Sequence, residues 1–114
     1  VLAARRGESR YPYVAHKFEF VGGKVEQGES EEEALVRELR EELGVKARVI
    51  GHFKTVSHDY PDFSITLSAY FCEFLSDFSC TEHEELRWIP LSELDPEAWA
   101  PADVPLVQSL KTMF

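Results

Sequence analysis

The chain has 114 residues, 44% of them hydrophobic, and a formal net charge of −9. That length is one domain's worth, and the apolar content suffices for a modest core. The acidic balance argues against nucleic-acid polymers and anionic membranes, which want basic patches, and no apolar run approaches the roughly 20 residues of a membrane span.

VLAARR, residues 1 to 6, is an apolar run of strand character that ends by Arg6. GESRYPY follows as a polar loop with turn residues Gly7, Ser9 and Pro12. HKFEFV, 16 to 21, alternates well enough to predict a short strand, and GGKVEQGES is a glycine-punctuated loop. Ser30 and Glu33 form the S-x-x-E capping box that opens a helix, and Gly44 supplies its C-terminal stop. ARVIGHFKTVS, up to Ser57, and SITLSAYFCEF, 64 to 74, predict two longer strands. The HDYPD segment between them turns the chain and predicts an antiparallel hairpin. ELRWIP, 85 to 90, is a shorter strand closed by Pro90. LSELDPEAWAP reads as a loop with one helical turn, and DVPLVQSLKTMF as a terminal helix with Leu106, Val107 and Leu110 facing inward. No repeat, linker or low-complexity segment is visible, so residues 1–114 read as a single domain.

Cys72 and Cys80 match no metal-ligand spacing and read as free thiols, with a single disulfide as the alternative. With no signal-peptide pattern in view, the expected setting is cytoplasmic. His16, His52, His58 and His83 are scattered over separate elements and read as surface or structural groups. There is no G-x-S-x-G motif and no Cys-His nucleophile arrangement, so covalent catalysis is not expected.

The stretch RELREELG, 37 to 44, is electrostatically costly as a helix. It spaces Glu38, Glu41 and Glu42 three and four residues apart, where like charges oppose each other by a few tenths of a kcal/mol per pair. Leu35, Val36, Leu39 and Leu43 share an arc of roughly 100°, and Glu42 borders that apolar stripe. The carboxylates therefore lie near the core edge, although an ordinary charged surface helix has the same pattern. Arg37, beside Glu33 and Glu41, has the geometry to fix a glutamate's direction by a forked hydrogen bond. In the preceding loop Gly22, Gly23 and Gly28 free the backbone to approach a ligand, and Lys24 adds a cation.

Counted out, Gly23, five residues, Glu29, seven residues, Arg37-Glu38-Leu39, one residue, Glu41-Glu42, one residue, Gly44-Val45 resembles the Nudix box GX5EX7REUXEEXGU, with U aliphatic. Every fixed position of the box is matched. The resemblance implies an α+β fold, an α/β/α sandwich with a mixed sheet between helices. It also implies that glutamates hold Mg²⁺ or Mn²⁺ against a substrate diphosphate, a role suited to hard oxygen donors. Glu38, Glu41 and Glu42 match the metal-binding glutamates of the family, and the Gly22 carbonyl matches a backbone ligand. Glu29 matches a residue that braces the loop, and Arg37 one that orients a glutamate. The family normally has a further strand ahead of the one ending at Arg6, so such a strand is expected before Val1.

The wider stretch KFEFVGGKVEQGES is similar to the MutT branch, whose members hydrolyse nucleoside triphosphates to monophosphate and pyrophosphate. Val21 stands where that branch usually has Pro, a change of loop stiffness that removes no ligand. Trp88 with Glu82 six residues before it, followed by APADVP, also resembles the branch. Glu82 thereby matches a further metal-associated or base glutamate, an ordinary exposed loop carboxylate being its alternative. The general-base role is divided between Glu38 and Glu82. Arg6, Phe20 and Phe63 match positions that contact the nucleobase or its monophosphate, although either phenylalanine could equally be plain core. Asp103 replaces the branch's usual Asn, and in that the segment resembles the CTP pyrophosphohydrolase members.

The expected activity is metal-dependent hydrolysis of a nucleoside triphosphate, with CTP or dCTP favoured, by a monomer or homodimer. An 8-oxo-dGTP-sanitising enzyme is the alternative, and ADP-ribose or dinucleoside polyphosphates are further candidate substrates. A non-catalytic nucleotide-sensing module is the competitor from another class; regulators of that kind tend to carry a degraded box, and here the box is intact.

Overall fold

The computed structural model describes residues 1–7, 9, 11–77 and 85–113. The elements in chain order are β1 (Leu2–Arg5), β2 (Phe18–Glu19), α1 (Glu31–Leu43), β3 (Ala47–Asp59), β4 (Ser64–Phe74), β5 (Glu85–Trp88), three 3₁₀ turns (Leu91–Glu93, Pro96–Ala98 and Pro101–Asp103) and α2 (Val104–Met113). They fall into two compact units, one of Val1–Phe20, Thr55–Leu67 and His83–Phe114, the other of Val21–Lys54 and Ser68–Glu82.

In the first unit β1 is the middle strand of an antiparallel sheet ordered β2-β1-β5, with Ala4 opposite both Glu19 and Leu86. Ala3 and Ala4 are fully buried. Leu106, Val107 and Leu110 of α2 are buried as their spacing predicts, together with Phe18, Leu94 and Trp99. A parallel bridge between Phe18 and Trp99 lends this unit its mixed character. The strand predicted over 16 to 21 is only two residues long, for two reasons. His16 takes a left-handed conformation, φ 58°, within a run of turns, a conformation His tolerates better than most residues. At the other end, the Phe20 N–H is spent on the Asp103 carboxyl at 3.4 Å instead of a ladder bond. The single helical turn read into LSELDPEAWAP is three 3₁₀ turns. Pro96 and Pro101 each begin one and Pro90 precedes the first, since proline pre-sets φ and lacks the N–H that a longer helix needs.

The tip of the β3–β4 ribbon belongs to this unit. The Tyr60 N–H donates to the Phe63 carbonyl at 2.8 Å, closing the predicted hairpin, and the Ser57 and Thr66 hydroxyls meet across the strands at 3.0 Å. The turn is thus tighter than the sequence suggests, and β3 runs two residues past Ser57.

The second unit is built on α1. Ser30 Oγ accepts the Glu33 N–H at 3.1 Å, and Glu33 Oε1 accepts the Ser30 N–H at 2.9 Å. Gly44, in the left-handed region at φ 64°, closes the helix by donating its N–H to the Arg40 carbonyl. Glu31, Glu32 and Glu33 occupy the first turn, where unsatisfied N–H groups favour negative charge. Ala34, Leu39, Leu43 and the following Val45 are buried, whereas Leu35 and Val36 are half-buried. The rest of the ribbon lies here, with Phe53 against Phe71 and His52 edge-on to Tyr70. No described helix is long and apolar enough to cross a membrane.

Candidate functional site

In the second unit the acidic residues converge on one guanidinium. Arg37 donates from Nε to Glu29 Oε2 at 2.7 Å and from Nη2 to Glu29 Oε1 at 3.0 Å, a two-pronged pairing. Its Nη1 donates to Glu38 Oε1 at 2.8 Å and Glu41 Oε2 at 3.1 Å, and Nη2 also reaches the Lys24 carbonyl at 3.0 Å. One side chain therefore ties α1 to the glycine loop that precedes it. Glu29 also accepts the Glu26 N–H at 2.9 Å. The Arg37 fork, and after it that backbone bond, hold the Glu29 carboxyl below the usual range. Glu29 first, and Glu38 after it, push the Arg37 guanidinium further up.

Gly23 lies against this cluster. A Cβ at that position would fall 2.5 and 2.6 Å from the two Glu38 carboxylate oxygens, so only glycine fits beside the carboxylate as it stands. Gly22 is half-buried, and a Cβ there would meet Leu35 at an ordinary 3.9 Å. Glu42 is half-buried at the border of the apolar stripe, whereas the Glu41 side chain is 56% exposed. Lys24 is exposed. The donor set is all carboxylate and carbonyl oxygen, which suits a hard divalent cation. In the arrangement described, Glu38 and Glu41 turn to Arg37, and among the described residues no three Asp, Glu, His or Cys side chains converge on one point. The fit is one of donor chemistry, helical spacing and the close approach at Gly23.

In the first unit Asp103, Phe20 and Arg6 are brought together. Asp103 is only 7% exposed and ends the turn Pro101–Asp103. Its Oδ1 accepts the Phe20 N–H, and the Phe20 ring lies 4.5 Å from that of Trp99. Burial pushes the Asp103 carboxyl from 3.8 up to about 7. The Phe20 N–H opposes the shift, nearby Glu19 adds to it and Arg6 opposes it. Arg6 Nη2 pairs with Glu19 Oε2 at 2.8 Å.

Phe63 takes a different place. It is 37% exposed and packs against Tyr11 and Tyr60, at 5.3 and 5.0 Å between ring centroids, within an aromatic cluster. Glu82, with His83 and Cys80, lies outside the described residues. Sequence reasoning missed Glu19, Trp99 and Tyr60. Glu19 lies between Phe18 and Phe20 in the sequence and could have been found as a charge flanked by two aromatics. Tyr60 gave no signal, because its hydroxyl serves the Ala102 N–H, 42 residues away.

Comparison with known proteins bears on both units. Residues 1–110 match the NUDIX domain family. The 8-oxo-dGTP diphosphatase of Escherichia coli (strain K12) is 34% identical over 102 residues, which cover 89% of this chain and 79% of that protein. The CTP pyrophosphohydrolase of the same organism is 38% identical over 114 residues, covering 99% and 82%. The solution structure of the E. coli ORF135 protein matches with a TM-score of 0.82 at 36% identity, covering 98% of this chain and 79% of that one. That of MutT from methicillin-resistant Staphylococcus aureus 252 matches with a TM-score of 0.71 at 35% identity, covering 97% and 86%.

Proposed function

The chain belongs to the Nudix family of hydrolases, and on that premise we propose that it hydrolyses a nucleoside triphosphate to the monophosphate and pyrophosphate, with Mg²⁺ or Mn²⁺ and with CTP or dCTP preferred. Nudix hydrolases generally work with a divalent cation. When bound, such an ion neutralises the polyphosphate and makes an attacking water more acidic. Glu38, Glu41, Glu42 and the Gly22 carbonyl are the groups to hold it.

The observation that carries this reading is the Arg37 fork. It pins the glycine loop to α1 through Glu29 and the Lys24 carbonyl while holding Glu41, and Glu38 beside Gly23, by hydrogen bonds. Preorganised carboxylates next to an open backbone are what a diphosphate site needs. In this reading water attacks the β-phosphorus, the bond to the bridging oxygen of the α-phosphate breaks, and the water oxygen leaves with the pyrophosphate. Glu38 takes the water's proton through Oε2, the oxygen that Arg37 does not hold, with Glu82 sharing the general-base assignment. Arg6, Phe20 and Asp103 select the nucleobase and Lys24 steadies phosphate charge. The free thiol of Cys72 suits a reducing, cytoplasmic setting.

The second reading, an 8-oxoguanine nucleotide as substrate, is favoured by one observation. A carboxyl pushed up to about 7 is in part a neutral acid near physiological pH, and the neutral acid can donate to a purine carbonyl. A panel of nucleoside triphosphates with Mg²⁺, read by pyrophosphate release, tests both. Pyrophosphate plus cytidine monophosphate at the highest kcat/KM is the expected result. Release of orthophosphate, or nucleotide binding with no turnover of any substrate, would defeat the proposal.

A further inference from the structure

The turn that carries Asp103 is short, and its own bonds are local. The Asp103 N–H donates to the Ala100 carbonyl at 2.9 Å, and the Val104 N–H donates to the Pro101 carbonyl. The hydrogen-bond geometry of a 3₁₀ turn is poorer than that of an α-helix, so bonds from outside matter to its position. Two non-local bonds supply that. The Ala100 N–H donates to the Phe18 carbonyl at 2.8 Å and holds the entry to the turn. The Ala102 N–H, in its middle, donates to the Tyr60 hydroxyl at 2.9 Å, and that bond is buried.

Tyr60 is well placed to act as a fixed post. It is buried at the ribbon tip, its ring stacked on Tyr13 at 4.8 Å with 16° between planes and met edge-on by His58 at 4.5 Å. The Tyr13 hydroxyl donates to Asp62 at 2.5 Å and not to the turn. Asp103, Arg6 and Glu19 all act electrostatically on the Tyr60 hydroxyl, which places it in the same polar neighbourhood.

We propose that Tyr60 is a positioning residue for nucleobase selection, its hydroxyl fixing the Pro101–Asp103 turn so that Asp103 presents its carboxyl beside the Phe20 N–H. This rests on the reading of Asp103 as a nucleobase contact. Phenylalanine would fill nearly the same space and stack the same way, so Tyr60→Phe removes only the acceptor for the Ala102 N–H. The turn then loses its central anchor while the core around it stays filled.

The test compares kcat and KM for CTP, dCTP and 8-oxo-dGTP in the wild type, Tyr60→Phe, Asp103→Asn and Tyr13→Phe at one Mg²⁺ concentration, alongside amide hydrogen exchange at Ala102. Tyr60→Phe is expected to reduce the preference between nucleotides about five- to tenfold, the size of one hydrogen bond. The loss should fall on KM for the favoured nucleotide more than on kcat, with faster exchange at Ala102 and retained protection at Val107 and Leu110. Tyr13→Phe, which deletes a hydroxyl from the same cluster without touching the turn, should keep the wild-type preference. The inference is overturned if Tyr60→Phe keeps that preference, loses activity equally on every nucleotide, or is matched by Tyr13→Phe. An unchanged preference in Asp103→Asn would instead remove Asp103 as a base contact, and the role of Tyr60 would fall with it.

Discussion

Arg37 grips Glu29 with two nitrogens, at 2.7 and 3.0 Å, across eight residues of sequence that include the start of α1. The pairing makes loop and helix a single body at the point where Gly23 meets Glu38. Lysine carries the same charge as a point and cannot fork. Arg37→Lys should therefore keep the fold but release both the Lys24 carbonyl and one arm of the cluster. We expect kcat/KM to fall about ten- to a hundredfold, the usual range for residues that orient metal ligands. Steady-state kinetics with circular dichroism as the fold control decides it, and near-normal turnover would count against an orienting role.

Gly23→Ala tests the same contact from the other side. The added methyl would occupy the space of the Glu38 carboxylate, which can swing away because it ends a flexible side chain. The expected result is a small change in melting temperature and a large loss of turnover. Glu41→Gln and Glu42→Gln keep side-chain shape and remove charge, so each should lower turnover by orders of magnitude with the fold intact. Full activity of either variant at saturating Mg²⁺ would take that residue out of the metal site.

Arg37 offsets part of the repulsion among Glu29, Glu38 and Glu41; a divalent cation would offset more of it, and only the native state assembles the cluster. Saturating Mg²⁺ or Mn²⁺ should accordingly raise the melting temperature of the wild type. Glu38→Gln removes one candidate ligand and should shrink the response to metal. Calorimetry with and without the ion is the measurement; two proteins indifferent to metal would refute the account.

What the sequence made legible was local. The capping box at Ser30 and Glu33, the stop at Gly44 and the hairpin around Tyr60–Phe63 each depend on residues a few positions apart; the first two formed as read and the hairpin formed with a tighter turn. The failures were non-local. Nothing near Phe20 indicates that its N–H is diverted to Asp103, 83 residues on, which cuts β2 short. Composition also cannot reveal that Asp103 is buried with Glu19 nearby, so its charge state looked ordinary in the sequence. The glutamate spacing and Arg37 as an orienting group were legible, but that Arg37 holds Glu29, Glu38 and Glu41 together was not.

On the proposed role of Asp103, both stability and selectivity are expected to depend on pH. Its carboxyl is raised on folding from 3.8 to about 7, so the native state binds the proton more tightly than the unfolded chain. The stability this confers is fully present below pH 3.8 and is lost as pH rises through about 7. Relative to Asp103→Asn, the wild type should therefore lose a few kcal/mol of stability between those limits, an order-of-magnitude figure for a buried group. Denaturant melts of both proteins at a series of pH values would show the difference; parallel curves would mean that the carboxyl titrates normally. Selectivity should follow the same proton. The ionised carboxylate offers only acceptors, which suit the N4 amine of cytosine, whereas the neutral acid can also donate to the O6 carbonyl of 8-oxoguanine. The ratio of kcat/KM for dCTP to that for 8-oxo-dGTP is thus expected to climb as pH rises through about 7 in the wild type. In Asp103→Asn it should stay flat and favour the purine, with a shift of about ten- to a hundredfold for one charge-assisted hydrogen bond. A wild-type ratio independent of pH, or one that favours 8-oxo-dGTP throughout, would rule out the ionised Asp103 as the reader of cytosine.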